Sequence, residues 1–321
     1  MSVRGRVQAQ LSRRPWHMRM TPWGLTGMVP DDDARKVKSR RGRSKPVVTS
    51  ASGPVDHAPG RAPVGNSFGL PEAMFGVVAG FVLAFIAVSI YAGTSRNPHH
   101  PSQYGEDVVS LIALWIGFVG AVIAATRIAQ RERLMGRAGR VEPAGRSNGR
   151  GEGSVVRDYG LVLRPWPDIP LGIVAGVASQ YLLVPVVEAP LLPFVHHLYS
   201  RLGHPAQSLT GDAFGAGLVV LAVLVCVGSP IVEELFFRGL LLRSLLGSFE
   251  QLGPRLGPVL SIGVTALVFA LVHFEALQFL GLAGFGVVLG VLAWRTGRLG
   301  PSIVAHMTFN TETIIAIVVS R

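Results

Sequence analysis

The chain of 321 residues is poor in charge. Only 15% of it is Asp, Glu, Lys or Arg, against about a quarter in soluble domains. With 49% hydrophobic residues and a mean hydropathy of +0.42, the composition excludes an ordinary soluble enzyme and points to a bilayer. Cysteine occurs once, at Cys226 inside the apolar run 223–227, which excludes an intrachain disulfide and reads as a small buried hydrophobe rather than a nucleophile. No apolar run follows the first arginines, so no secretory signal peptide is expected. No internal repeat is evident, which argues against a secondary transporter built from duplicated halves. The compact zinc signature His-Glu-x-x-His is missing as well.

Seven apolar stretches of roughly membrane length are present: 73–93, 108–126, 169–187, 213–228, 258–272, 276–294 and 302–320. The expected fold class is therefore all-α, a polytopic transmembrane helix bundle. It has seven spans, or eight if Pro230 splits the fourth. We read four regions: a disordered, Arg-rich cytoplasmic arm over 1–67, an N-terminal transmembrane hairpin over 68–126, a flexible basic linker over 127–168, and a core over 169–321. Met18, Met20 and Met28 are alternative starts within the arm.

The net charge of +11 is unevenly spread. Residues 1–72 carry +8 and residues 127–168 carry +4, whereas the loops 94–107 and 188–212 each carry −1. Lys and Arg collect on the cytoplasmic side, so the N-terminus and the linker are expected inside a cell membrane and the two acidic loops outside. Basic segments beside membrane spans fit anionic lipid better than nucleic acid, which is not expected as a partner.

The polar residues that matter follow position 210. Glu233, Glu234 and Arg238 interrupt an otherwise apolar stretch, and ionisable groups at membrane depth are read first as functional. Glu234 and Arg238 are four apart and can pair on one helix face. Glu233 lies about 100° round the helix and has no local cation, so it is the carboxylate left for chemistry. Phe269 and His273 are one turn apart near the end of the fifth span. His306 and Asn310 share a face of the seventh. Taken singly, each has a structural explanation: a juxtamembrane charge cluster, an interfacial histidine, an interhelical hydrogen bond.

The order Glu-Glu-x-x-x-Arg, Phe-x-x-x-His, His-x-x-x-Asn resembles the CPBP family of intramembrane proteases, the CAAX prenyl protease and bacteriocin-processing enzymes. The similarity runs over about 213–313. It includes Pro230, Phe236, Phe237 and Gly239 around the glutamates, Gly286-x-x-x-Gly290, Arg295-Thr-Gly297, and Pro301 leading to His306. The resemblance implies hydrolysis of a peptide bond in a membrane-associated protein or peptide. Glu233 and His273 would activate water, His306 and Asn310 would hold the oxyanion, and Glu234, Arg238 and Phe269 would support them. It implies a metal-free mechanism. Zinc held by Glu233, His273 and His306 is the alternative, on which such enzymes are often labelled metalloproteases. A non-catalytic membrane scaffold and a proton-coupled transporter are the competing classes. Simple alternation of the spans sets His273 near the outer end of its helix and His306 near the inner end of its own, so a shared site demands a tilted, broken or re-entrant element.

Overall fold

A computed structural model of the chain describes residues 69–95, 102–138, 159–198, 201–203, 207 and 215–319. The arm over 1–67 and residues 139–158 of the linker lie outside them. The described residues are all-α, without strands. Seven helices are long and apolar enough to cross a membrane: α1 (Leu70–Thr94), α2 (Gln103–Ala138), α3 (Pro165–Leu191), α4 (Ala216–Ser248), α5 (Gly253–Leu271), α6 (Phe279–Thr296) and α7 (Gly300–Val319).

All seven expected spans are present, and the differences lie at their ends. The fourth does not stop near Gly228. It continues through the Glu-Glu motif to Ser248 as one 33-residue element. Two π-helical stretches, Leu224–Gly228 and Leu235–Leu241, flank the short α-helical turn that carries Pro230 and both glutamates. Pro230 therefore shifts the hydrogen-bond register rather than splitting the span. At Ser229 the amide reaches Leu224 O, five residues back. In that register the donor for Val225 O would be the amide of residue 230, which proline lacks. The second span is also longer than its apolar core, because α2 runs on through Arg127 and Arg131 into the linker.

Small residues set the packing distances, as lipid-embedded helices require. Gly80 and Gly117 bring α1 and α2 together: a side chain at 117 would collide with the Gly80 backbone. Between α5 and α6, a Cβ at Gly286 would stand 3.0 Å from Ala266 Cα, and one at Gly290 would stand 3.0 Å from Ile262 Cγ2. Gly172 and Gly176 of α3 lie against Pro301, Val304, Ala305 and Thr308, so α3 and α7 run parallel. At the start of both helices Asp168, fully buried, receives Arg298 Nη2 at 2.5 Å, while Leu299 N donates to Gly160 O at 2.8 Å.

The core is aromatic around α4. Phe236 and Phe237 are fully buried, and with Phe118, Leu240, Leu241 and Phe269 they form the main apolar cluster. Glu188 belongs to α3 rather than to the outer loop. It is 2% exposed beside Gly281 of α6. A charge at the edge of an apolar run reads as a boundary in sequence, although here one more turn of helix carries it inward.

Candidate functional site

The site grows from α4. Consecutive glutamates on a helix point about 100° apart, and here they meet different surroundings. Glu234 is fully buried, and its Oε1 accepts from Arg238 Nη1 at 2.7 Å. It also accepts from His306 Nδ1 at 3.1 Å, and Ser302 lies against the same carboxylate. Arg238, itself 1% exposed, donates a second time to Gly286 O at 3.2 Å and lies over the Phe269 ring at 4.5 Å. The close α5–α6 approach that Gly286 permits is what brings its carbonyl within reach of the guanidinium.

Glu233 is the other half of the pair. It is 9% exposed, and its Oε2 makes no hydrogen bond among the described residues. His306 Nε2 stands 3.9 Å from that oxygen. One imidazole thus bridges the two carboxylates, with Nδ1 fixed on Glu234 and Nε2 facing Glu233. Edge contacts from Phe269 at 5.8 Å and Phe285 at 5.6 Å hold its ring, and Phe285 is stacked on Phe309 at 4.2 Å.

His273 lies just past the end of α5. Its backbone amide bonds to Ala270 O at 3.3 Å, a tighter turn than α-helix, and so abandons Phe269 O. Its own side chain fills the vacancy, with Nδ1 2.6 Å from that carbonyl. A carbonyl only accepts, so Nδ1 carries the proton and the lone pair of the neutral ring is on Nε2. The His273 ring rests on Phe269 at 4.6 Å. Both histidines therefore lean on one phenyl ring, which removes the conflict that simple alternation of the spans raises. Distance along a helix from its end does not measure depth when helices tilt.

Asn310 donates from Nδ2 to Val225 O at 2.9 Å, the carbonyl that Pro230 leaves without a backbone donor. Its second amide hydrogen is not used in that bond. Cys226 is 9% exposed and bonded to the Thr311 side chain, in keeping with a buried hydrophobe.

The fold thus joins Glu233, Glu234, Arg238, Phe269 and His306 in direct contact, and links His273 and Asn310 to them through Phe269 and the α4 backbone. Among the described residues, no three His, Cys, Asp or Glu side chains converge as metal ligands. The set Glu233, His273 and His306 is thus not gathered around one point in this conformation, and no step below is routed through zinc. Sequence reasoning missed Ser302, Phe285, Gly286 O and Val225 O. Two of these are backbone carbonyls, which leave no trace in residue identity. A groove of about 450 Å³ between α3 and α7, lined by Ile173, Val177, Val304, Met307, Thr308, Thr311 and Glu312, shares no residue with the site.

Comparison with protein families bears on the second half of the chain. Residues 215–311 match the model described as Rce1-like, type II CAAX prenyl endopeptidase Rce1-like. That segment is similar to an Rce1-like endopeptidase domain. The match spans α4 to the middle of α7 and holds every candidate site residue. The hairpin α1–α2 and α3 lie outside it. No curated protein and no solved structure gives a significant match. The seven apolar helices support a multi-pass membrane protein, and the similarity of residues 215–311 supports a CAAX-type intramembrane endopeptidase in general terms.

Proposed function

We propose that the chain cleaves a peptide bond near the membrane-anchored end of its substrate by direct attack of water, with Glu233 as the general base. The observation that carries this reading is the asymmetry of the two glutamates. Each keeps a buried Oε2 without a protein donor, but Glu234 is tied down through Oε1 by both Arg238 and His306, whereas Glu233 faces only His306 Nε2, at 3.9 Å. A carboxylate with an unclaimed lone pair in an apolar surround is suited to take a proton from water.

In the step itself, the water oxygen bonds to the scissile carbonyl carbon while its proton passes to Glu233, with His273 Nε2 accepting a hydrogen bond from the same water. The carbonyl π-bond becomes an oxyanion. The free Nδ2 hydrogen of Asn310 and Nε2–H of protonated His306 stabilise that charge. Collapse breaks the C–N bond, and the proton held on Glu233 passes to the leaving amine. Arg238 and Glu234 orient His306 rather than touch substrate. The mechanism proposed is metal-free. The positive charge of the adjoining segments supports a cytoplasmic location for the start of α1 and the end of α2. A scaffold or proton-coupled carrier is disfavoured because Glu233, Glu234, Arg238 and His306 meet in one cluster rather than standing as a file of separate groups.

The experiment is incubation of the protein, reconstituted in liposomes, with a library of peptides bearing a lipid-modified cysteine near the C-terminus, and mass spectrometry of the products. Cleavage at one bond position, undiminished after exhaustive chelation, is expected. Cleavage lost on chelation and restored by zinc would overturn the metal-free step, and no cleavage of any member would remove the hydrolytic reading.

A further inference from the structure

The hairpin α1–α2 lies outside the Rce1-like segment, yet it reaches the site at two points. Phe118 of α2 is stacked on Phe236 at 4.2 Å and stands edge-on to Phe237 at 5.6 Å. Phe237 is in turn edge-on to Phe269 at 5.3 Å. Rings thus run without interruption from the hairpin to the phenyl that both histidines touch. The second point is Phe81 of α1, edge-on to Phe274 at 5.2 Å.

Phe274 directly follows His273 and has φ 54°. A residue with a Cβ enters that left-handed region at a cost and stays there only when its surroundings impose it. The local backbone imposes little. Beyond α5, the amides of His273 and Phe274 reach only to the carbonyls of Ala270 and Leu271, at 3.3 and 3.1 Å. Phe274 is otherwise exposed, at 77%. Its ring contact with Phe81 is a constraint supplied by another element.

We propose that Phe81 is a positioning residue for His273, acting through Phe274. By holding the Phe274 ring it keeps the turn closed, so that His273 Nδ1–H stays on Phe269 O and Nε2 remains the basic nitrogen. The inference rests on the proposed role of His273 for its functional meaning, although the geometry is testable without activity. It also makes the N-terminal hairpin part of the enzyme's working site and not merely a membrane anchor.

The test uses the full chain, labelled with ¹⁵N-histidine, in lipid nanodiscs. The His273 imidazole signals are assigned by their loss in His273→Gln. The wild type is expected to show a single Nδ1–H tautomer at neutral pH. Phe81→Ala, and independently Phe274→Ala, should shift the two nitrogens toward averaged values, and the double variant should go no further than either single one. Phe85→Ala, which removes a ring 75% exposed one turn along α1, should leave the spectrum unchanged. Where hydrolysis is measured, kcat of Phe81→Ala should fall about 10- to 100-fold at constant KM, as expected for a misplaced catalytic group. A wild-type tautomer in both Phe81→Ala and Phe274→Ala, or an equal disturbance by Phe85→Ala, would overturn the proposal. Absence of hydrolysis by wild type would remove the proposed function and leave the tautomer result standing.

Discussion

At the scale of single residues, the two adjacent glutamates have separate work, and their variants should separate too. Arg238 is fully enclosed and joined to Glu234, Gly286 O and the face of Phe269. Removing one member of such a pair strands the other charge at a typical cost of about 3–5 kcal/mol. Arg238→Ala should therefore lose thermal stability in detergent as well as activity. An inactive Arg238→Ala that melts like wild type would instead mark Arg238 as a substrate ligand. In the proposed step Asn310 is one of two oxyanion donors, so Asn310→Ala should keep measurable turnover, reduced about 10²–10³-fold. Part of this residue-level geometry was legible in sequence. The spacing of four between Glu234 and Arg238 sufficed to expect their pairing, and the lack of a local cation singled out Glu233. The bridge from His306 to Glu234 was not legible, because it joins α7 to α4 and depends on how the helices tilt.

At the scale of elements, the register of α4 is the feature with most consequence. Its π-helical stretch and Pro230 together leave Val225 O for Asn310. Pro230→Ala would return a backbone donor to that carbonyl. We expect a folded protein whose Asn310 amide is no longer held, with turnover at least tenfold lower, as misplacement of a catalytic group produces. Full activity in Pro230→Ala would show that the bond does not orient Asn310. Sequence reasoning raised Pro230 as a break in the span and as a flank of the glutamate motif, but not its link to Asn310, since a proline announces a missing amide but not which side chain fills in for it. The close seam of α5 and α6 gives a second expectation. Gly286→Val would force a side chain into Ala266, part the helices, and weaken the Arg238 bond to residue 286. Its thermal midpoint should fall along with activity.

At the scale of the whole molecule, all seven spans were readable because sustained apolarity over membrane length is a strong signal. Their ends were less so. The extension of α4 through Glu233, Glu234 and Arg238 is possible because the ion pair offsets much of the cost of charge at depth, a cancellation that hydropathy alone does not register. Cys226, the only cysteine, is buried, so introduced cysteines give a clean reading of topology. Ser102→Cys, at one end of α2, should react with an impermeant thiol reagent on intact cells, and Arg131→Cys, at the other, only after permeabilisation. The opposite pattern would invert the orientation proposed from the loop charges. The most direct test of the whole account is turnover of Glu233→Gln in liposomes, measured beside its thermal midpoint. This near-isosteric change replaces the proton-accepting carboxylate oxygen, and its negative charge, with an amide NH2 while keeping the side chain's shape. The account predicts a wild-type midpoint with activity lower by about 10⁴, and near-wild-type turnover by a well-folded Glu233→Gln would contradict it.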